Sequence, residues 1–353
     1  MTAAETPVSA SPFSLEARQV DSTLPLLEVD RLVMHYKIKA GSVSAVDDVS
    51  FTLHQGEAVG LVGESGCGKT SIALSLLQLL PSNAQQISGE IRLNGENLLF
   101  LSPEEMRQRR WKDIAMVFQG AMNSWNPVYR VGDQIREALD THYRGVMNYA
   151  EQRTHMEKLF SAVGLPPTML DRYPHEFSGG MRQRAVIAMA LACSPQLIIA
   201  DEPTTALDVI VQDQILKELK RIQADMGMSI VYISHDIAVI AEVTDSLGVM
   251  YAGNLVEYGP TAQVFARPRH PYAYLLLRST PSITGPRRQL APLKGEPPDL
   301  LHPPTGCRFH PRCPFATERC AVEAPPMEDI GDGHRVACWH WDEVPELEEA
   351  LQR

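Results

Sequence analysis

The chain has 353 residues, 44% of them hydrophobic and 21% charged, which is long enough for two domains and a sizeable core. Its formal net charge of −11 argues against a general nucleic-acid binder, while leaving room for one basic face. The longest apolar run, 185–200, is broken by Ser194-Pro195, and the N-terminus lacks the basic-then-apolar pattern of a secretory signal, so a soluble cytoplasmic chain without a membrane span is expected.

Residues 1–24, rich in Ala, Ser, Thr and Pro, read as a mobile tail. Segments 26–29 and 46–53 read as strands, the second through the polar–apolar alternation of Ser50-Phe51-Thr52-Leu53. Tyr36, between them, is either a ring for stacking on adenine or a plain strand-end tyrosine. The apolar run 58–62 predicts a buried strand. It leads into Gly63-Glu64-Ser65-Gly66-Cys67-Gly68-Lys69-Thr70, a G-x-x-x-x-G-K-T phosphate-binding loop. Glycines there let several backbone N–H groups converge on one anion, and the helix that follows adds its positive end. Gly63, Ser65, Gly66, Cys67, Gly68, Lys69, Thr70 and Ser71 are the expected nucleotide contacts, with Lys69 on the phosphates and Thr70 on Mg²⁺. The helix is expected over 71–80, stopped by Pro81.

Residues 89–96 close on Asn94-Gly95, a hairpin signal, and charged residues 103–110 predict a helix. A buried strand over 114–118 ends at Gln119. Amphipathic pieces at 132–139 and 150–163 make 121–177 a helical insert within an α/β core. A helix opens at 178–183 and runs to about Cys193. Strand 197–200 ends in Asp201-Glu202, helix 209–224 follows, and strand 229–233 ends at Ser234-His235. Strands alternating with helices predict a mostly parallel sheet with ligands at its carboxyl edge, where Lys69, Gln119, Asp201 and His235 should converge. Beyond 266, frequent prolines predict one short helix, 272–278, and otherwise irregular chain.

The phosphate loop, Gln119, Ser178-Gly179-Gly180, Asp201-Glu202, Ala206-Leu207-Asp208 and His235 occur in the order of an ABC-type ATPase, which the chain resembles over about residues 25–265. Ala200 to Asp208, His270-Pro271-Tyr272 and the run from Cys307 to Pro314 further resemble the D-type ATPase subunits of oligopeptide and dipeptide permeases. The resemblance implies an α/β P-loop NTPase core of RecA-like type. An antiparallel β subdomain, a helical subdomain at about 121–180 and a small C-terminal metal-cluster segment over 266–353 complete the implied fold. It implies ATP hydrolysis with Mg²⁺ held by Thr70, Gln119 and Asp201. Glu202 would polarise water and His235 would touch the γ-phosphate. Ser178, Gly179 and Gly180, with Asp208, would serve nucleotide shared with a second ATPase, an F-type homologue rather than a second copy of this chain. Met181 stands where a Gln is usual in the wider family, as it does in the D-type subunits. Two transmembrane permease subunits, indirectly an extracytoplasmic peptide-binding protein, no nucleic acid and the cytoplasmic face of the inner membrane are the implied setting. Import of nickel or another small solute is the alternative to peptide import. A soluble ABC ATPase of DNA repair or translation fits the acidic charge poorly, and a scaffold without activity fits the complete catalytic set poorly. Residues 120–127, with an exposed-looking Trp125, are the expected grip on the permease, a plain loop with a core Trp being the alternative.

Cys307, Cys313, Cys320 and Cys338 are spaced C-x5-C-x6-C-x17-C. Four thiolates can hold Zn²⁺ or a [4Fe–4S] cluster, and a reducing compartment disfavours disulfides. The resemblance favours [4Fe–4S], with zinc second, no metal third, and His310, His334 and His340 as alternative ligands. Cys67 and Cys193 read as small packing residues.

Overall fold

The computed structural model describes residues 21, 23–205, 207–279, 293 and 295–345. The expected N-terminal tail lies almost wholly outside the described residues, as does Ala206. Two sheets organise the rest. A four-stranded antiparallel sheet runs in the order Gly41–His54, Pro25–Ile38, Ala84–Leu93, Glu96–Asn97, with Asn94 and Gly95 turning the last hairpin at positive φ. In the larger sheet, Ile114–Val117, Leu197–Asp201, Ser229–Ser234, Ala58–Val62 and Ser246–Tyr251 lie side by side and parallel. This is the expected architecture, because strands buried on both faces read as continuous apolar runs. All five residues of Ala58–Val62 are buried.

Alternation across that sheet divides the core. Val59, Leu61, Ile199, Val231 and Ile233 face the antiparallel sheet and the helix Lys69–Leu76. Ala58, Val62, Ile198, Ala200 and Tyr232 face the helices Gly179–Ala190 and Val209–Met226 and the helical insert. The insert carries Val131–Tyr143 and Tyr149–Ala162, the latter opened by a capping box between Asn148 and Glu151.

Three differences from expectation have local causes. The helix after the phosphate loop ends at Leu76, not residue 80, because Gln78 turns to φ +49° and the Arg110 guanidinium binds the Leu77 and Gln78 carbonyls at 2.9 and 3.2 Å. The segment beyond 266 is less irregular than its prolines suggest. Besides the expected helix, Pro271–Ser279, it holds the short helix Glu318–Val322. Glu328–Asp329 and Arg335–Val336 add two antiparallel strands to the edge of the large sheet through Asn254–Pro260. Trp125 is not exposed: at 7% accessibility it lies in the core shared with Val131, Ile135 and Ala138, because the chain folds back onto the helix Val131–Tyr143. Val128 and Tyr129, 72% and 57% exposed, present the apolar surface there instead.

Candidate nucleotide site

The site is built at the carboxyl ends of the parallel strands. Ala58–Val62 runs into the loop, whose Gly63, Gly66 and Gly68 have φ of 152°, 81° and 106°. A side chain at Gly63 would meet the Met250 carbonyl oxygen at 2.2 Å, and one at Gly68 the Ala45 carbonyl oxygen at 2.2 Å. Gly66 faces open space. Two of the three glycines are therefore dictated by packing beneath the loop, the third by its turn. Lys69 opens the helix, and its buried ammonium donates to the Gly63 and Glu64 carbonyls at 2.7 and 3.1 Å, beside Cys67 Sγ at 3.4 Å. Cys67 and Cys193 are buried, as packing residues would be.

Asp201 ends its strand at 1% accessibility. The Thr70 hydroxyl hydrogen-bonds its carboxylate, while Oδ1 is buried with no hydrogen-bond partner. Burial raises the Asp201 carboxyl above its usual range, against the opposing pull of Thr70 and Lys69. A buried carboxylate oxygen without a partner, beside a threonine hydroxyl, is a donor set that fits a hard divalent cation, whose charge would favour ionisation.

Glu202 follows with φ +46°, uncommon for a side-chain-bearing residue, while its N–H still donates to the Ile233 carbonyl at 2.9 Å. That turn aims the carboxylate at three partners. Gln119 Nε2 donates to Oε2 at 2.7 Å, the Thr205 hydroxyl donates to Oε2 at 2.9 Å, and His235 Nδ1 lies 3.0 Å from Oε1. Burial opposes ionisation of Glu202, but the hydrogen bonds from His235 and Thr205 prevail and hold its carboxyl below the usual range. Gln119, Glu202 and His235, distant in sequence, are thus one cluster beside Asp201. Thr205 was not singled out by sequence, although a Thr three residues after an acid at a turn is a recognisable side-chain bonding pattern.

The remaining expected residues sit around this cluster or apart from it. Tyr36 lies within the strand Pro25–Ile38, its hydroxyl 3.2 Å from Ser71 Oγ on the helix after the loop. Ser178 caps the helix Gly179–Ala190, accepting from the Met181 N–H at 3.3 Å, and Gly180 packs so closely on Val211 that a Cβ would stand 2.9 Å away. Asp208 caps Val209–Met226 through the Val211 N–H at 3.0 Å. Among the described residues, no hydrogen bond or ion pair joins Ser178, Gly179 or Gly180 to Lys69, Asp201, Glu202 or His235.

The cysteine expectation is not supported by ligand geometry: among the described residues, no group of three or more His, Cys, Asp or Glu side chains is placed to hold a metal ion. Cys307, Cys313, Cys320 and Cys338 do line one cavity together with His310 and His340. His334 is not among them, because its Nε2 lies 2.8 Å from Glu257 in the buried interior. Burial pushes Cys313 up to about 11 and Cys338 to about 12, and the other cysteines of the cavity add to both shifts.

Profiles of two families match the sequence: the one described as ABC transporter over residues 46–205, and the one described as oligopeptide/dipeptide transporter, C-terminal region, over 256–320. The chain is 45% identical over 326 residues to the probable peptide ABC transporter ATP-binding protein y4tR of Sinorhizobium fredii, covering 91% of this chain and 97% of that one. It is 43% identical over 317 residues to the dipeptide transport ATP-binding protein DppD of Escherichia coli, covering 89% and 96%. Among solved structures, the ATP-binding cassette MJ0796, a dimer bound to ADP and Pi, superposes with a TM-score of 0.60 at 26% identity, covering 67% of this chain and 98% of that one. Among the described residues, no helix is long and apolar enough to cross a membrane.

Proposed function

The chain belongs to the ATP-binding proteins of ABC transporters, in the group that serves oligopeptide and dipeptide transport, and from that premise we propose that it hydrolyses ATP to energise peptide import through a membrane permease. The observation that carries the chemistry is the gathering of Lys69, Thr70, Asp201, Glu202, Gln119 and His235 at one sheet edge. Phosphoryl transfer to water needs positioning and charge stabilisation more than covalent help. Loop N–H groups and Lys69 hold the phosphates, so Lys69 exchanges its carbonyl partners for phosphate oxygens. Thr70 and Asp201, with Gln119 adjacent, hold Mg²⁺, which when bound neutralises charge on the phosphates. Glu202, kept ionised by the hydrogen bonds from His235 and Thr205, accepts a proton from the attacking water, and His235 turns between Glu202 and the γ-phosphate. Tyr36, whose hydroxyl lies beside Ser71, stacks on adenine.

Ser178, Gly179 and Gly180 form a second anion-binding helix start, unattached to the catalytic cluster of their own chain. They serve, with Asp208, the nucleotide of a second ATPase in a head-to-tail pair, an F-type homologue by preference. Exposed Val128 and Tyr129, rather than Trp125, supply the apolar contact for the permease. The chain then works peripherally on the cytoplasmic face of the inner membrane, as an ATPase domain over 25–265 with an extension over 266–353.

The four-cysteine cavity has the donor type and number for a [4Fe–4S] cluster, with zinc second. Burial holds Cys307, Cys313 and Cys338 protonated, whereas at Cys320 burial is outweighed by the hydrogen bonds from Thr317 and His340, which favour the thiolate, and a cation among them would favour ionisation of the rest. Such a group supplies structural cross-linking of the extension. Iron, sulfide and zinc analysis of anaerobically purified protein tests it, and protein free of all three removes it. The transport reading is tested by purifying the chain with its membrane partners in vesicles. Phosphate release stimulated by peptide-loaded binding protein supports it. Stimulation by nickel instead, or purification without integral-membrane subunits, overturns it.

A further inference from the structure

The extension reaches back to the phosphate loop. Arg312, between Cys307 and Cys313 in sequence, has only 6% of its side chain accessible, and its guanidinium grips Glu64 in a two-pronged pair, Nη1 to Oε2 at 2.7 Å and Nη2 to Oε1 at 3.1 Å. Glu64 is the second residue of the phosphate loop. Its N–H donates to the Tyr272 hydroxyl at 2.9 Å, and its carbonyl accepts from Lys69. Arg312 also donates to the Tyr251 hydroxyl at 3.2 Å, and Phe309 packs its ring on Tyr251 and Tyr272 with centroids 5.0 and 5.4 Å away. A second arginine of the same turn, Arg308, binds Asp47 and the Ala252 carbonyl. Every polar group of Glu64 that could drift is thereby held, two of them by the extension.

The charge matters as much as the brace. A free carboxylate one residue from Gly63 would stand at the entrance of a site built to receive several negative charges. At the effective dielectric of a protein surface, like charges within several ångströms repel by roughly kilocalories per mole. A bidentate guanidinium cancels that charge in fixed geometry, which a lysine matches only as a point charge. We propose that Arg312 is a positioning residue for nucleotide binding, through which the cysteine-bearing extension braces Glu64 and neutralises it beside the phosphate loop. Arg312 touches no phosphate itself and acts through Glu64. Whatever orders the turn from Cys307 to Cys313 therefore sets the affinity of a loop some 250 residues earlier in the chain.

This inference rests on the ATPase reading, and the test separates the two. MgATP affinity of the full-length chain is measured by titration with a fluorescent ATP analogue, with thermal midpoints recorded for each variant. Lys69→Ala is the control for the reading itself: unchanged affinity in that variant removes the nucleotide site. With that control lost as expected, Arg312→Ala raises Kd about tenfold, and Arg312→Lys by less. Adding Glu64→Gln to Arg312→Ala returns Kd to within about threefold of the wild type, because the bare charge is gone. A purely structural Arg312 gives a lowered midpoint with unchanged Kd, or a double variant as weak as Arg312→Ala, and either result overturns the inference while leaving the ATPase reading intact.

Discussion

Replacing Glu202 by Gln tests the centre of the site with little disturbance of its shape. The amide is isosteric, its oxygen can still accept from Gln119 or Thr205, and its nitrogen can face His235, so the three contacts at 2.7, 2.9 and 3.0 Å have substitutes. With Lys69, Thr70 and Asp201 as the proposed holders of MgATP, its binding should stay within about threefold of the wild type. Only the ionised acceptor for the water proton is removed. General-base assistance is worth about 10²–10⁴ in rate, or roughly 2.7–5.4 kcal/mol of barrier at 1.36 kcal/mol per decade. Steady-state phosphate release by the assembled transporter should fall by that factor, beside an equilibrium titration showing retained binding. The sign of the pH dependence follows from Glu202 itself. Its carboxyl lies below the usual 4.5, so it remains ionised as pH falls through that value, and any loss of turnover between pH 7 and 5 belongs to another group. Turnover by Glu202→Gln within about tenfold of the wild type would refute the assignment, since a positioned general base typically contributes about 10²–10⁴.

Gly68→Ala and Gly66→Ala separate packing from turn geometry. At Gly68 the new Cβ meets a backbone carbonyl at 2.2 Å, so both the thermal midpoint and nucleotide affinity should drop, the latter by more than about tenfold, whereas Gly66→Ala, in open space at φ 81°, should cost only the roughly 1–3 kcal/mol of backbone strain. Equal midpoints for the two variants would contradict the contact analysis. Ser178→Arg should leave MgATP affinity of the isolated chain unchanged yet abolish turnover in the assembly, and a loss of affinity in the isolated chain would place the serine at its own site instead. Burial lowers His270 to about 3, while its Nδ1 accepts from the Tyr272 N–H at 3.0 Å. Between that value and the usual 6.5 the unfolded chain takes up a proton that the folded chain refuses. Stability should therefore fall as pH drops below 6.5, with a slope of up to about 1.4 kcal/mol per pH unit. Thermal midpoints against pH should be flatter for His270→Asn, and an unchanged slope would exclude His270 as the source.

The nucleotide site was legible because its parts are local strings. A short apolar run followed by a polar residue marks the end of a buried parallel strand, and Gln119, Asp201 and His235 each stand at or just past such an end. Elsewhere the decisive contact lay far along the chain. Nothing within residues 71–80 announces that Arg110 will take the carbonyls of Leu77 and Gln78 and end the helix early. The composition of 120–127 does not say which way an indole points, and the fold-back onto Val131–Tyr143 buried it. Strands of two residues, such as Glu328–Asp329 and Arg335–Val336, are too short for alternation to register, so proline content governed the expectation there.

The same distance rule explains why the two ends of the site differ in what holds them. Asp201 and Glu202 are fixed at a strand end, the first by Thr70 and the second by Gln119, Thr205 and His235, so their geometry survives as long as the sheet does. Within the loop Glu64 is held through its carbonyl, which accepts from Lys69 and the Cys67 N–H, whereas its own N–H and its carboxylate are restrained by Tyr272 and Arg312, from a segment that the cassette profile does not include. A loop that must bind a polyanion and also carries a carboxylate is electrostatically self-defeating unless a cation is held beside it. The extension supplies that cation with its fork locked by the loop carboxylate and Tyr251. Its arginine and the loop glutamate are therefore two halves of one device, and either alone, a bare negative charge at the phosphate entrance or a buried guanidinium that keeps Tyr251 and the Gly295 carbonyl but has lost its counter-charge, would cost the protein more than having neither.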